Sequence, residues 1–592
     1  MLALTSALTK IVNESLRMYL NSSVRPVFAL ALIVVGLSFC IPLHLYPFPN
    51  YIEEILVALG VFACSSWLMW RKAELRFSLW SGLWLLLGVL FFASALIKSS
   101  PFAAFKLFYI VFWFVGALAL LVGEQVDWDD YRVSEILALV LLCSTFVCAG
   151  VGLLRHFDLL WLELSVFIPM YSSERMMGLI GHSNYFAFVC LLGVLSSAWL
   201  FQRSKIGLFG VVAACLIFIV CIVFTWSRSV VVAWFLLVVL LSLQFRRLNA
   251  GRFMSVIVVG LLALALLQPF GGALIQLLGG GTVDLIVDER LAAFGGRGVD
   301  SSGRFTEWAI AWQLFCDHPL FGVGIGNYGG AAFSKHIELG VLSPAGFFNH
   351  SHNLLLQFLA EMGVFGGIWV LLFAILGVIG WWRAAVDMRR VLPASILLVF
   401  SVYSLFELPF WIMHFFVLNL LVLGSLGRQE IRVNLKLGKV FSLILAFIFC
   451  AVTIVYVPLT ERFYWSLRQY LVRAPVTISE YRFVDSLIRD PLMEPYGYLV
   501  YFANFEVSPK TAKQDLDVLE KFRYHFPYEP VLARRAILQF ATGDSVGGLK
   551  TVADMRTYYG DSSLVYVSYQ LEGAQQAFPS VDFSALTKAA EQ

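Results

Sequence analysis

Four polar residues lie where apolar runs of the chain end and are of types that do chemistry: Arg228, His350, His352 and Glu407. Arginine presents fixed, planar donors that suit phosphate oxygens. Histidine accepts a proton near neutral pH, as a general base does. Together these residue types favour a site that binds an anionic group and removes a proton. Two simpler interpretations stay open, with Arg228 as an interfacial anchor and Glu407 as a turn residue.

Metal and nucleotide sites are disfavoured. The His350-x-His352 pair could bind a metal, but no carboxylate or cysteine follows at close spacing and His-Glu-x-x-His does not occur. The glycine-rich stretch 322–330 resembles a phosphate cradle only loosely, because it lacks Gly-Lys-Ser/Thr and any βαβ setting. We therefore expect no metal and no cofactor.

The composition restricts what kind of protein can carry these residues. Of the 592 residues, 60% are apolar and 14% are charged, against about 45–50% and about 25% in soluble domains. A water-soluble enzyme is thereby excluded. Nine cysteines, eight of them inside apolar runs, do not form a disulfide scaffold. A net charge of +3 indicates no basic surface for nucleic acid. The chain is a polytopic membrane protein.

Thirteen apolar runs are long enough to suggest membrane spans of about 20 residues. Two longer runs, 207–245 and 391–427, are each split into a helical hairpin, the first at Ser227-Arg228 and the second at Glu407. The predicted spans are 26–43, 54–70, 78–97, 102–122, 133–154, 182–201, 207–226, 229–245, 253–270, 359–382, 391–408, 411–427 and 440–457.

The lysine and arginine content of short loops predicts the orientation. With thirteen spans and a cytoplasmic N-terminus, five basic loops fall on the cytoplasmic side. Arg228, Glu407, His350 and His352 then fall on the external side. The basic residues are Arg71, Lys72, Arg76, Arg203, Lys205, Arg246, Arg247, Arg252, Arg383, Arg389, Arg390, Arg428, Arg432, Lys436 and Lys439.

Five segments follow from this reading. Leu4, Leu8, Val12, Leu16 and Leu20 recur every four residues, which predicts an interfacial helix at 1–25, with a weakly docked N-terminus as the alternative. The other segments are spans at 26–270, a long external loop at 271–358, spans at 359–457, and an external α-helical domain at 458–592.

Five pieces of sequence occur in an order that resembles a known family. They are Ser227-Arg228, Gly303-Arg304 with Trp308, Pro319 to Asn327, His350 to Asn353 with Gln357, Glu361 and Gly363, and Ser404 to Pro409. Between about Thr225 and Gly424 the chain thus resembles the bacterial superfamily of O-antigen ligases, polymerases and protein O-oligosaccharyltransferases.

Two further pieces indicate a branch of that superfamily. Leu43 to Glu54 looks like the N-terminal signature of PglL-type pilin glycosylation ligases, which commonly carry an external C-terminal helical domain. Gly181-His182-Ser183-Asn184 is similar to the family's Gly-Gln-Pro-Asn element, although His182 and Ser183 depart from it. Leu408 stands where a tyrosine often follows the glutamate.

The resemblance implies a GT-C-like helix bundle in a Gram-negative inner membrane, with its active site facing the periplasm. It implies an enzyme that transfers an oligosaccharide, with inversion, from polyprenyl (undecaprenyl) pyrophosphate to a serine or threonine of a protein such as pilin. A lipid A core or growing glycan is the alternative acceptor, and a transporter is a remote alternative. The implied catalytic residues are His352 as base, with His350 and Glu407. The implied binding residues are Arg228, Arg304, Arg297, His44, Asn184 and Asn353.

Overall fold

The protein is built almost entirely of helices. A computed structural model describes residues 24–42, 51–72, 74–157, 159, 175–271, 303–343, 346–427, 431–434, 436–471, 478–504, 507–523 and 525–591. Its α-helices of eight or more residues are Val24–Ser38, Tyr51–Arg71, Leu79–Ile97, Ala103–Glu124, Tyr131–His156, Ser183–Gln202, Leu208–Thr225, Arg228–Leu243, Gly251–Leu267, Arg304–Asp317, Tyr328–Leu339, Leu354–Ala384, Val391–Tyr403, Met413–Leu423, Gly438–Leu471, Ile478–Ile488, Glu494–Asn504, Ala512–Phe522, Glu529–Ala541, Ser545–Tyr559, Val565–Ala577 and Ser584–Glu591.

Every predicted span coincides with an apolar helix. Within the described residues, nine helices are long and apolar enough to cross a membrane, and four apolar helices are shorter. The shorter ones are Val24–Ser38, Arg228–Leu243, Val391–Tyr403 and Met413–Leu426. The prediction of an all-α polytopic membrane protein is confirmed. One of the four short helices begins at Arg228, and two others flank Glu407. The backbone leaves the helical conformation at Trp226 and Ser227 and in the segment around Glu407.

Two helices differ from the predicted spans at their ends. Leu354–Ala384 starts five residues earlier than predicted and is interrupted by Gly363, whose φ of 64° is not helical. Gly438–Leu471 continues beyond the predicted segment boundary at 458 and includes Pro458. A change from apolar to polar composition marks where a helix leaves the lipid, whereas the helix itself ends only where its backbone bonding stops. The predicted interfacial helix lies outside the described residues, apart from Val24 and Arg25.

The chain divides into two compact units. The first contains residues 1–85, 114–288 and 374–462, and the second contains residues 86–113, 289–373 and 463–592. At the centre of the first unit lies Ser183–Gln202, which is buried almost along its whole length and packs against Tyr131–His156, Leu208–Thr225 and Gly251–Leu267. A helix that is apolar on every side suits such a central position.

The second unit has a hydrophobic core formed mainly by the C-terminal helices. Its members include Leu519, Phe522, Leu532, Ile537, Met555 and Leu571. Phe102 and Phe333, from distant parts of the chain, belong to the same core. The rings of Phe102 and Phe522 meet edge to face with their centroids 5.3 Å apart. The C-terminal helices therefore pack on the rest of the second unit.

Two loops that the sequence places on the cytoplasmic side pair with each other. Glu74–Phe77 and Ile431–Asn434 form a short antiparallel sheet, with Glu74 opposite Asn434 and Phe77 opposite Ile431. The sequence did not predict this sheet. Because paired strands must lie on one side of a bilayer, the pairing agrees with the common side that the basic residues predict for these loops.

Candidate active site

In the first unit, Glu407 is held by donors from two other helices. The Asn184 side chain donates from Nδ2 to Glu407 Oε1 at 2.5 Å, and Ser229 Oγ donates to the same oxygen at 3.5 Å. Glu407 is 1% exposed and follows the Val391–Tyr403 helix in a short irregular segment. A buried carboxylate needs hydrogen-bond partners because it has lost its water. Asn184 therefore lies in direct contact with Glu407, as neither motif alone could reveal.

A residue that the sequence analysis missed orients Asn184. Arg175 donates from Nη2 to Asn184 Oδ1 at 2.8 Å and from Nε to the carbonyl of Thr225 at 2.7 Å. Since the amide oxygen of Asn184 accepts from Arg175, its amide nitrogen faces Glu407. The sequence feature that could have identified Arg175 is its position, six residues before the Gly181–Asn184 element and close to a long apolar helix.

The segment that carries Arg228 is a tight break between two helices. Leu208–Thr225 ends at Trp226, which has a left-handed backbone with φ of 54°, and the next helix begins at Arg228. The Tyr403 hydroxyl donates to the carbonyl of Asn184 and lies 3.4 Å from Ser227 Oγ. Arg228 itself is exposed. A left-handed conformation is uncommon for a bulky residue and is often found beside functional sites.

In the second unit, Arg304 also begins a helix. Gly303, with φ of 67°, precedes the Arg304–Asp317 helix. On the buried side of that helix, Glu307 accepts from the Tyr328 hydroxyl at 2.9 Å and lies 2.8 Å from His336 Nε2. Burial, followed by the charge of Glu307, raises the pKa of Tyr328 well above its usual value, so this hydroxyl stays a donor.

The Glu307–His336 contact is a second feature that the sequence analysis missed. His336 Nδ1 lies 2.9 Å from the carbonyl of Val341, which can only accept, so Nδ1 carries a proton. The other ring nitrogen, Nε2, faces the Glu307 carboxyl group at 2.8 Å. Both side chains are at most 1% exposed. The two residues are 29 positions apart in the chain, and this spacing belongs to no motif from which the contact could have been predicted.

The glycine-rich stretch binds a carboxylate of the chain itself. Glu361 Oε1 accepts from the backbone N–H of Gly326 at 3.0 Å and of Tyr328 at 3.4 Å. Its other oxygen accepts from the Tyr109 hydroxyl at 2.6 Å. The Glu361 carboxyl group thus takes backbone donors of the kind that a phosphate cradle would offer.

Glycine is required where this stretch meets the Leu354–Ala384 helix. A Cβ at Gly322, where φ is 62°, would lie 2.3 Å from the backbone carbon of Glu361. A Cβ at Gly363 would lie 2.4 Å from the backbone of Leu320. Val364 N–H donates to the carbonyl of Pro319 at 2.8 Å, at the interruption of the helix. The segment from Pro319 to Asn327 thus packs closely on the backbone of the Leu354–Ala384 helix around Gly363.

The two histidines precede the capped start of the same helix. Asn353 Oδ1 accepts from the Leu356 N–H at 3.1 Å, which caps the helix, and Ser351 N–H donates to Gln357 Oε1 at 2.7 Å. The rings of His350 and His352 are 4.2 Å apart at 78°. His352 has φ of 53°. Both histidines are half-buried, so the capped backbone presents two neighbouring imidazoles at a partly open position.

The predicted site residues divide between the two units. Asn184, Arg228 and Glu407 belong to the first, and Arg304, His350, His352 and Asn353 belong to the second. His44 and Arg297 lie outside the described residues. Across the described part of the chain, no group of three or more His, Cys, Asp or Glu side chains could hold a metal ion.

Comparison with known families bears on both units. Residues 213–371 match a family model described as O-antigen ligase, and residues 392–571 match one described as virulence factor membrane-bound polymerase, C-terminal. The two matches support the O-antigen ligase and polymerase superfamily. The first includes Arg228, Arg304 and His352, and the second includes Glu407 and most of the C-terminal helices. No curated protein and no solved structure matches the chain.

The superfamily supports a coarse function for this membrane protein. Ligases and polymerases of the O-antigen type transfer glycans, so the matches support a membrane-bound, glycosyl-transferring enzyme. The chain's many apolar helices agree with a multi-pass protein whose surroundings are a lipid bilayer.

Proposed function

We propose that the chain is an O-oligosaccharyltransferase of a Gram-negative inner membrane. Its donor is an oligosaccharide on polyprenyl (undecaprenyl) pyrophosphate, and its acceptor is a serine or threonine hydroxyl of a periplasmic protein such as pilin. The observation that carries the proposal is the geometry of His352. Its half-buried ring lies next to that of His350, its backbone has a left-handed conformation, and the helix that follows is capped by Asn353. The Leu43–Glu54 signature supports the pilin branch.

The two arginines support a pyrophosphate donor. Arg228 and Arg304 are each the first residue of a helix. A helix start presents unpaired N–H groups and the positive end of the helix dipole, which favour an anion. We propose that these arginines compensate the charge of the leaving pyrophosphate.

His352 is our candidate general base. A serine hydroxyl is a poor nucleophile, and a base within hydrogen-bond reach assists it. The hydroxyl oxygen forms a bond to the anomeric carbon while the bond from that carbon to the pyrophosphate oxygen breaks, with inversion. The hydroxyl proton passes to His352, and the polyprenyl pyrophosphate leaves with the bonding electrons. We propose that His350 orients His352 or the acceptor.

Glu407 is our candidate for positioning the acceptor. Asn184, itself oriented by Arg175, fixes the Glu407 carboxylate. A carboxylate held this way accepts a hydrogen bond from an acceptor hydroxyl or amide in one direction. Asn184 then contributes to binding by positioning Glu407, and Asn353 contributes by capping the helix that follows His352. His44 and Arg297 stay predictions from the resemblance.

Reconstitution tests the proposal. The purified chain in proteoliposomes, given a defined lipid-linked oligosaccharide and pilin, should add the oligosaccharide mass to a pilin serine or threonine. The His352→Ala variant should fold and add none. Transfer that is normal in this variant would remove His352 from the mechanism.

A second candidate differs only in the acceptor. The matched models are described as a ligase and a polymerase, which favours a lipid A core or a growing glycan. The same proteoliposomes, given lipid A core or a second lipid-linked glycan instead of pilin, distinguish the candidates. Transfer to lipid A core or glycan, with none to pilin, would favour the second candidate. Movement of unchanged donor across the bilayer would indicate a transporter.

A further inference from the structure

We propose that the C-terminal helices hold His350 and His352 in the position that transfer requires, and that Tyr558 is the principal positioning residue. The two histidines lie in residues 346–353, which directly precede the Leu354–Ala384 helix and are called the histidine segment below. All the residues concerned belong to the second unit. The role in transfer rests on the proposed function, whereas the contacts that hold the segment do not.

Tyr558 binds the chain beside the histidine segment through both its backbone and its side chain. It lies in the last turn of the Ser545–Tyr559 helix, where backbone carbonyls have no partner within the helix. Its carbonyl accepts from the Ser343 N–H at 2.8 Å. Its hydroxyl donates to the carbonyl of Gly346 at 3.4 Å, and Ser343 Oγ donates to the same carbonyl at 2.5 Å. One residue of the C-terminal helices thus fixes the start of the segment.

Phe347, the second residue of the segment, is fixed by two helices. Its ring meets the ring of Tyr528 edge to face with centroids 5.5 Å apart, and Tyr528 directly precedes the Glu529–Ala541 helix. A Cβ at Gly329 would lie 2.7 Å from Phe347 Cζ, so the ring also packs closely on the Tyr328–Leu339 helix. The C-terminal helices therefore contact the segment at Phe347 as well as at Gly346.

Phe348 connects these contacts to the candidate base. Its ring lies edge to face against His352 with centroids 5.3 Å apart, and His352 lies 4.2 Å from His350. Because Phe348 directly follows Phe347, a shift of the held residue also shifts the surroundings of both imidazoles. A general base acts only within hydrogen-bond reach of its proton. A misplacement of about 1 Å can lower the rate about a hundredfold.

Tyr558 is itself fixed on its buried side. It is fully buried, and its ring lies 5.0 Å from His336 and 4.8 Å from Phe333 between centroids. Burial raises the pKa of Tyr558 well above its ordinary value, so its hydroxyl remains a donor. His336 in turn contacts Glu307, three residues after Arg304. The same buried cluster thus connects the helix that begins with Arg304 to the histidine segment.

Hydrogen exchange without donor or acceptor tests whether the segment is held. The N–H groups of Ser343 and Ser351 are hydrogen-bonded, so their exchange reports local opening. Tyr558→Phe keeps the buried ring and loses only the hydroxyl, and should raise the exchange rate of peptides that contain these residues about two- to tenfold. Phe347→Ala acts from the segment and leaves Tyr558 in place, and should raise the same rates.

The matched control removes a tyrosine hydroxyl elsewhere among the C-terminal helices. Tyr501 donates to Asp515 Oδ1 at 3.2 Å, from the Glu494–Asn504 helix to the Ala512–Phe522 helix. Tyr501→Phe should leave exchange in the histidine segment at the wild-type rate. Wild-type exchange in both Tyr558→Phe and Phe347→Ala would overturn the proposal, whether or not the chain transfers glycan.

Steady-state transfer from a defined lipid-linked oligosaccharide to pilin in proteoliposomes tests the positioning role. Phe347→Ala should lower kcat about ten- to hundredfold, and Tyr558→Phe should lower it about three- to tenfold, with the KM for pilin and donor changed less than about twofold. Phe347→Leu keeps part of the apolar contact and should lose less than Phe347→Ala. Tyr501→Phe should have wild-type kinetics.

The division between kcat and KM separates positioning from recruitment of the acceptor. A raised KM for pilin with unchanged kcat would indicate that these helices bind the acceptor, and would overturn the positioning role. Faster exchange with unchanged kcat and KM would overturn it as well. If the wild-type chain transfers no glycan, the proposed function fails, and hydrogen exchange still decides whether the C-terminal helices hold the segment.

Discussion

Asn184 and Glu407 are 223 residues apart in the chain, yet the amide of one donates to the carboxylate of the other at 2.5 Å. Both side chains are buried. Because Arg175 holds the other end of the amide, the carboxylate has one fixed orientation. The contact joins two motif pieces of the first unit into one polar group.

Removing the amide should disable this group. In Asn184→Ala the buried Glu407 loses its closest donor, which should lower stability by about 1–3 kcal/mol and abolish or strongly reduce transfer. Thermal unfolding in detergent and the pilin transfer assay measure the two effects. Asn419→Ala is the matched control, since the buried Asn419 amide donates to the carbonyl of Phe415 within its own helix. If both variants transfer glycan equally well, Asn184 has no role in the active site.

Loss of either helix-start arginine should weaken use of the donor. Arg228→Ala or Arg304→Ala removes a charged donor worth about 1.5–3 kcal/mol, so the KM for lipid-linked donor should rise about ten- to hundredfold. Arg252→Ala, at an exposed position in the first turn of the Gly251–Leu267 helix, is the control. Wild-type turnover at limiting donor in both variants would refute the phosphate role.

His352→Asn tests the base without disturbing the backbone. Asparagine tolerates the left-handed conformation that His352 adopts, with φ of 53°. We expect unchanged thermal unfolding and a loss of transfer of about 10²- to 10⁴-fold, the usual contribution of a general base. His318→Asn replaces an exposed histidine of the same unit and should transfer normally. A fully active His352→Asn chain would end the case for this base.

Glu307 and His336 should behave as a coupled pair. Replacing either one alone by leucine leaves the other buried without its partner, which costs about 3–5 kcal/mol. The double variant Glu307→Leu with His336→Leu should be destabilised by much less than the sum of the two changes. Thermal unfolding of all four proteins gives the coupling free energy. Additive losses would show that the two groups do not interact.

The C-terminal helices should lose stability in acid through His525. Burial lowers the pKa of His525 to about 3, from an ordinary value of about 6.5. The unfolded chain therefore binds a proton between these values that the folded chain does not. Stability is full above about pH 6.5 and falls by about 2 kcal/mol at about pH 5.

A variant that cannot titrate isolates this contribution. His525 lies 3.1 Å from Ser100 Oγ and packs against Phe105 at 4.1 Å between ring centroids. His525→Gln retains a polar group for Ser100 and should remove most of the difference in unfolding temperature between about pH 7.5 and pH 5. An unchanged acid loss in this variant would assign the effect to other groups.

The membrane helices could be predicted from the sequence, because lipid requires every spanning segment to be apolar along its length and to satisfy its own backbone. The breaks at Ser227-Arg228 and at Glu407 could be predicted for the same reason, since polar residues there interrupt long apolar runs. Helix ends could not, as Pro458 illustrates, because a change of composition does not itself end a helix.

The candidate site divides in the same way. Arg228, His352 and Glu407 stand out by type and position in an apolar chain, and family motifs added Asn184 and Arg304. Arg175 and His336 could not be predicted from the sequence. Each is part of a polar contact that forms only when the folded chain brings its partner close, Asn184 for Arg175 and Glu307 for His336. The glycine-rich stretch 322–330 resembles a phosphate cradle only loosely in the sequence, and in the fold its Gly326 N–H donates to the Glu361 carboxyl group. Sequence determines which groups enter the membrane, since that depends on each segment's own transfer free energy. Only tertiary structure decides which groups meet, since hydrogen bonds form over about 3 Å between residues far apart in the chain.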